Sequence, residues 1–307
     1  MGTGTGSAAP RGSAAFGNYH THTHHCDGNG EPRDYAEAAI QKGMKWLGFS
    51  GHNVVPFPTV WTMPAKNLEG YLREVREAKA RYKGRLDIFL GIEADYIPGV
   101  TSPNHPRIRD LGLDFVIGSV HFAEQRNGDH SWTVDGPREE LETGLAKVFK
   151  GDIRALVERY FALIGEMAEE TKPDIIGHFD VVKKNNRSGD FWSEEETWYR
   201  SAALVALEAV ARSGCIMEIN TGGIVRNTSG ALYPSEWILK EAHRLGIPIM
   251  INADAHRPQD IDGYFTQAAT LLRGLGFTTQ RQLTLAGWVD VPLPAQRLRR
   301  AHRARTL

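Results

Sequence analysis

This sequence predicts an α/β fold whose parallel strands close into a barrel related to the (β/α)8 type, with the functional residues at the C-terminal strand ends. Three observations carry that expectation. Short apolar runs alternate with helices or long loops, giving seven strand candidates. Those runs are largely continuous, as in strands covered on both faces. No glycine-rich nucleotide loop follows the first run, which argues against an open doubly wound sheet. A length of 307 residues suits one such domain.

Residues 1–17, rich in Gly, Ser and Ala, read as a flexible leader without the apolar core of a secretory signal. "FGNYHTH" (16–22) is the first strand candidate. In "EPRDYAEAAIQKGM" a helix follows, with Tyr35, Ala38, Ala39 and Ile40 on its apolar face. "WLGFSGH" (46–52) is the second strand, and a long helix then runs through "NLEGYLREVREAKARYKG" to Gly84. "LDIFLGIEADY" (86–96) and "LDFVIGSVHF" (113–122) are the third and fourth strands. "DIRALVERYFALIGEMAEE" is a helix that Pro173 ends, and "DIIGHFD" (174–180) is the fifth strand. Ser193 and Glu196 form a capping-box pattern at the start of the next helix. "CIMEINTGG" (215–223), a helix from Pro234 to Leu245 and "IPIMINADAH" (247–256) complete the series. A single barrel domain is expected over 18–295, with 296–307 as a basic, disordered tail.

Bulk properties narrow the function. Hydrophobic residues are 41% and charged residues 24%, so a sizeable core is expected. A net charge of −1 gives no global pull toward nucleic acid or membrane, and neither is expected as a partner. No apolar run reaches membrane-span length. Only Cys26 and Cys215 are present, which predicts no disulfide framework and fits a reducing, cytoplasmic setting.

The chemistry is written at the strand ends. The first ends at His20 and His22, with Asp27 just beyond. The next four end at His52, Glu93, His121 and His178. The sixth ends at Asn220, and the last at Asp254 with His256. A parallel barrel delivers all of these to one rim. Positions i and i+2 of a strand share a face, so His20 and His22 are placed to hold one cation, and Asp254 and His256 repeat the spacing. Six imidazoles and three carboxylates exceed what one ion takes, so two or three divalent ions are expected, with at least one bridging carboxylate. The donor set suits Zn, Mn or Fe rather than Mg or Ca. An appended tag would explain the crowded "HTHTHH" but not His52, Glu93, His121, His178 or Asp254. His24 and His25 share the ligand spacing and are left without a role.

"YHTHTHHCDG", "GFSGHN", "GIEADY", "IGSVHF", "IGHFD", "EINTGG" and "NADAH" together resemble the PHP (polymerase and histidinol phosphatase) superfamily, most closely its monofunctional histidinol-phosphate phosphatases. The likeness runs from about residue 18 to about residue 275. It implies a distorted (β/α)7, TIM-like barrel and a trinuclear metal centre. Carried over by motif, His20, His22, Glu93 and Asp254 would hold one ion. Glu93 would bridge to a second ion on His121 and His178, and Asp27, His52 and His256 would hold the third. Asn18 and Gly51 stand where similar proteins commonly carry Asp, and both are expected to be positions that orient ligands.

The function expected is metal-assisted hydrolysis of a small phosphomonoester, L-histidinol phosphate in histidine biosynthesis, without a covalent protein nucleophile. Glu93, Asp254 and His256 are the expected catalytic residues. Arg226, and after it Lys183, are the expected phosphate-binding cations. "WTVDG" (132–136) is a candidate piece of a substrate lid, with Trp132 as a buried loop anchor. A PHP-type phosphodiesterase acting on nucleotides is the alternative. Against it, no basic tract interleaved with aromatics lies outside the tail. A non-catalytic metal-binding module is disfavoured by the complete ligand set.

Overall fold

The computed structural model describes residues 16–124, 132–226 and 228–293. Among these, seven strands pair in parallel and in chain order. They are β1 (Gly17–Asn18), β2 (Trp46–Phe49), β3 (Asp87–Asp95), β4 (Phe115–Ser119), β5 (Ile175–Ile176), β6 (Ile216–Asn220) and β7 (Ile249–Asn252). A bridge between Thr21 and Ala255 brings the last strand back to the first. Two asparagines finish the closure. The Tyr19 amide donates to Asn252 Oδ1 and the Ala253 amide to Asn18 Oδ1, both at 2.8 Å. The result is the seven-stranded α/β barrel that the sequence predicts.

Helices α1 (Pro32–Lys42), α2 (Leu68–Arg81), α3 (Pro106–Arg109), α4 (Arg138–Phe149) and α5 (Ile153–Thr171) lie in the first half of the ring. Then come α6 (Thr197–Ser213), α7 (Gly222–Val225), α8 (Glu236–Arg244) and α9 (Phe265–Gly274). Four of these, α3, α4, α7 and α9, have no counterpart in the sequence reading. Neither has the antiparallel hairpin β8 (Thr279–Thr284) and β9 (Gly287–Pro292). The capping pair is displaced: the Ser193 amide donates to Glu196 Oε1 at 3.0 Å, but the helix starts only at Thr197. By contrast α5 starts where expected, because Asp152 accepts from the Ala155 amide at 3.0 Å and satisfies a free helix-end donor. Gly17 belongs to β1 and Phe16 packs edge-on against Phe265, so the fold begins inside the stretch read as leader. Residues 1–15 and the 296–307 tail lie outside the described residues. No helix among those described is long and apolar enough to cross a membrane.

Strand alternation sorts side chains into two apolar bodies and one polar one. Along β3, Ile88, Leu90, Ile92 and Ala94 face the helices and join the large outer core. Phe89, Gly91, Glu93 and Asp95 alternate with them. Phe89 joins Tyr19, Phe115, Ile117, Ile175, Ile216 and Met250 in a separate inner cluster. Leu283 and Trp288 of the hairpin pack on that cluster, and Tyr19 Oη donates to the Leu283 carbonyl at 2.5 Å. Along the strands, then, inward positions change from apolar to chelating toward the C-terminal ends. The change requires Gly91: a Cβ there would lie 2.5 Å from Phe115 Cζ, and the edge of that ring is already taken by Tyr19. Gly91→Ala is expected to cost about 1–3 kcal/mol through overpacking. Urea denaturation checks this, and an unchanged midpoint would show that the ring yields freely.

Candidate metal centre and active site

All nine sequence-predicted chelators converge, although most sit just beyond the strands rather than on them. Glu93 is within β3; His121 and His178 each lie two residues past a strand end. Asp254 also follows β7, and its φ of +49° is a left-handed conformation that non-glycine residues seldom adopt. The chain therefore bends out of β7 before it reaches His256.

Three donor groups form, and they overlap. In the first, His20 Nε2 lies 3.2 Å from Glu93 Oε2 and 3.6 Å from Asp254 Oδ1. His22 Nε2 lies 3.5 Å and 3.1 Å from the same two oxygens. A tetrahedral ion with bonds of about 2.0–2.1 Å separates its ligands by about 3.4 Å, so these four atoms frame a site of the right size. In the second group, Glu93 Oε1 lies 3.0 Å from His178 Nε2 and 3.7 Å from His121 Nε2. The third gathers His22, Asp27, His52 and His256, with Asp27 Oδ2 3.0 Å from His256 Nε2. Glu93 thus turns one oxygen to each of two groups. Buried His20 Nε2, His22 Nε2, Glu93 Oε2 and Asp27 Oδ1 make no hydrogen bond. Buried polar atoms rarely go unpaired, and metal coordination is what this donor set fits.

The charge states differ among the donors: against burial, Glu218, Glu93 and Asp95 raise the pKa of His20, His52 and His121 respectively, so metal binding at those rings displaces a proton. Burial, then His256 and His52, push the His22 pKa down to about 3, which leaves a neutral imidazole with a lone pair to offer. Burial opposes the charge on Glu93, but His52 and His20 outweigh it and hold the carboxyl well below the usual range. Asp254 is likewise held low against burial, first by Arg226 and then by His20. Cys26 is no thiolate: burial, with Asp27 nearby, pushes it up to about 12.

Residues behind the donors fix their ring orientation. His20 Nδ1–H donates to Glu218 Oε1 at 2.6 Å, which sets the tautomer and aims Nε2 inward. Glu218 also accepts from the His178 amide at 2.8 Å, Asn220 Nδ2 at 2.9 Å and Asn252 Nδ2 at 3.1 Å. Asp95 does the same for His121 Nδ1 at 2.7 Å. Both carboxylates lie at even spacing from inward residues, Glu93 and Asn220: strand alternation places Glu218 on the inward face with Asn220, without assigning it a role, and the same period marks Asp95. Glu218→Gln would set an amide donor among four donors. It is expected to weaken zinc binding by about 10- to 100-fold in a chelator-competition titration. Unaltered affinity would remove Glu218 from this role.

Asn18 and Gly51 do something other than orient ligand side chains. Asn18 Nδ2 donates to the His20 carbonyl at 3.0 Å and to Thr21 Oγ1 at 2.8 Å, while its oxygen takes the Ala253 amide. It braces two backbone segments at once, a task that needs both a donor and an acceptor. At Gly51 a Cβ would come within 3.2 Å of Cys26 Sγ and 3.3 Å of Met63, so any larger residue there requires those side chains to shift.

A cavity of about 610 Å³ opens over the donors. Its wall includes Trp61, Thr133, Asp135, Lys184, Arg226 and Tyr233. Arg226 Nη2 donates to Asp254 Oδ2 at 2.8 Å, and Nη1 donates to the Asp254 carbonyl and lies 3.0 Å from His256 Nδ1. Lys183 does not reach the cavity. It is buried against Asp180, at 2.8 Å, and Ser235. Its neighbour Lys184 faces the cavity instead, 3.2 Å from Asp135. Trp132 is the buried anchor expected, with its ring against Gly144 of α4. The aromatic beside the donors is Trp61, edge-on to His52 at 4.6 Å and to His121 at 5.1 Å. No period marks Trp61 in its loop. His24 and His25 stay out of the cavity wall and meet Glu74 of α2. A larger groove of about 1180 Å³ runs along α5 and α6, and no histidine lines it.

The PHP domain profile matches residues 18–222. The "Probable histidinol-phosphatase" of Deinococcus radiodurans is 32% identical over 85% of this chain and 94% of its own length. The "Histidinol-phosphatase" of Bacillus subtilis is 30% identical over 81% and 96%. Among solved structures, the histidinol phosphate phosphatase of Lactococcus lactis, complexed with zinc, L-histidinol and phosphate, superposes with a TM-score of 0.65. It is 22% identical and covers 87% of this chain and 96% of that one. This agrees with the barrel, its rim of chelators and the motifs that carry them: the chain belongs to the PHP domain family, among the histidinol-phosphatases.

Proposed function

We propose that this chain hydrolyses L-histidinol phosphate to L-histidinol and inorganic phosphate, a step of histidine biosynthesis, using two or three divalent ions. The observation that carries the reading is Glu93, whose two oxygens face two donor groups on the floor of one cavity. Imidazole-rich donors suit Zn, Mn or Fe. His20, His22, Glu93 and Asp254 would hold one ion, Glu93, His121 and His178 the second, and Asp27, His52 and His256 the third. Such ions supply Lewis acidity toward water and phosphoryl oxygens. The chain's own groups do the rest. Arg226 retains N–H donors beyond those spent on Asp254, and a guanidinium pairs with phosphate through parallel hydrogen bonds. Lys184 adds a second positive charge to the wall, and Asp135 and Trp61 offer an acceptor and an aromatic face to the rest of the substrate.

Phosphate-release assays test the proposal with three substrates: L-histidinol phosphate, a nucleoside bisphosphate and an aryl phosphodiester. The highest kcat/KM is expected for L-histidinol phosphate. Preference for the nucleotide or the diester would overturn the substrate and favour the phosphodiesterase alternative. Arg226→Ala is expected to raise KM by about 10- to 100-fold, the worth of a charged hydrogen bond. Unchanged kinetics would take Arg226 out of the phosphate site.

A further inference from the structure

We infer that His24, His25 and Glu74 form an additional divalent-metal site, separate from the catalytic cavity, that clips the loop carrying Asp27 to helix α2. Adjacent residues on an extended strand point to opposite faces. Here a tight turn, closed by the amides of Cys26 and Gly28 on the Thr23 carbonyl at 3.0 and 3.1 Å, brings both rings to one side. Their centroids are 4.1 Å apart. Glu74 reaches them from α2, with Oε2 3.0 Å from His25 Nε2 and 3.7 Å from His24 Nε2. One donor from each residue lies within 4.8 Å of the other two.

The His25 ring is held in place. Its side chain is 8% exposed, and Nε2 makes no hydrogen bond. The ring lies over Gly70, where a Cβ would come within 2.9 Å of Cε1, and Asn67 Nδ2 donates to the His25 carbonyl at 3.0 Å. His24 is held differently: Nδ1 lies 3.3 Å from the Gly30 carbonyl, a contact that engages Nδ1 and leaves Nε2 as the atom turned toward Glu74. At 43% exposure the His24 ring leaves the site open to solvent, where a cation enters and water completes its shell. Two imidazoles and a carboxylate are a zinc donor set, and the nitrogens disfavour Mg and Ca. The site goes beyond the phosphatase reading. It would pin the turn between His22 and Asp27, so its occupancy would pre-organise Asp27.

The test counts zinc. The full-length protein is stripped with chelator, reloaded with saturating zinc, freed of excess and assayed for bound metal, in parallel with Glu74→Gln and a His24→Ala/Glu74→Gln double variant. Both replaced side chains are partly exposed, so folding is expected to survive. The double variant is expected to bind one equivalent less than the parent chain. Equal stoichiometry would overturn the site and leave only an ion pair. Zinc-edge anomalous scattering from crystals of the loaded protein gives a second reading. A peak between His24, His25 and Glu74 supports the site, and its absence at saturating zinc overturns it.

Discussion

Glu93→Ala is expected to lower turnover by about 10³-fold or more and to remove metal from two donor groups together. One carboxylate faces both groups, through Oε2 to His20 and His22 and through Oε1 to His178 and His121. Losing a single preorganised group of this kind typically costs about 10²–10³-fold, and here one substitution takes away two contacts. Glu93→Gln separates charge from shape. It keeps the volume and the acceptor for the Ser119 hydroxyl, which donates to Oε1 at 2.7 Å, but removes the negative charge. Metal content and kcat are measured together on both variants. If Glu93→Ala keeps its metal and its rate, the bridging role is wrong.

Chelation should have the largest effect of all. Stripping the ions is expected to abolish turnover, and adding back Zn or Mn to restore it. The ion-free site is costly: seven of the nine proposed chelators, from His20 to Asp254, are buried. Binding at 100 times Kd contributes about 2.7 kcal/mol per site, so the loaded protein is expected to melt about 5 °C or more above the stripped one. Thermal melts and phosphate release on the same samples check this. Full activity after exhaustive chelation would exclude a metal-dependent reaction.

Much of the site was legible because most of the proposed chelators lie at or just past the end of an apolar run, with Asp27 in the turn beyond the first. "GSVH" and "IGHFD" place a histidine where a buried strand meets the rim, and a parallel barrel gathers such ends. Asp95 and Glu218 were within reach by strand period and went unassigned. Other features carry no such signal. Whether Lys183 or Lys184 meets the cavity depends on the phase of a short 3-10 turn (Val181–Asn185). Trp61 and Asp135 arrive on loops whose path only packing decides. The hairpin was hidden by its own chemistry: Gln280 and Gln282 are buried where a strand pattern calls for apolar residues. Gln280 earns burial by accepting the Ile251 amide at 3.2 Å.

What the sequence determined alone is the barrel, its polarity and the nine residues proposed as chelators, because period and strand-end position are local properties that survive without coordinates. Spacing did not say how those donors divide; the family resemblance implied a division, and the tertiary structure supplies its physical reason. Glu93 serves two groups because its side chain stands between β2 and β4, paired through His52 on one side and Ile117 on the other. Arg226 holds Asp254 in a left-handed turn across a gap of 28 positions. His24 and His25 leave the site because a turn faces them toward Glu74 on a different element. Such pairings depend on distances between segments remote in the chain, which spacing within any one segment does not encode.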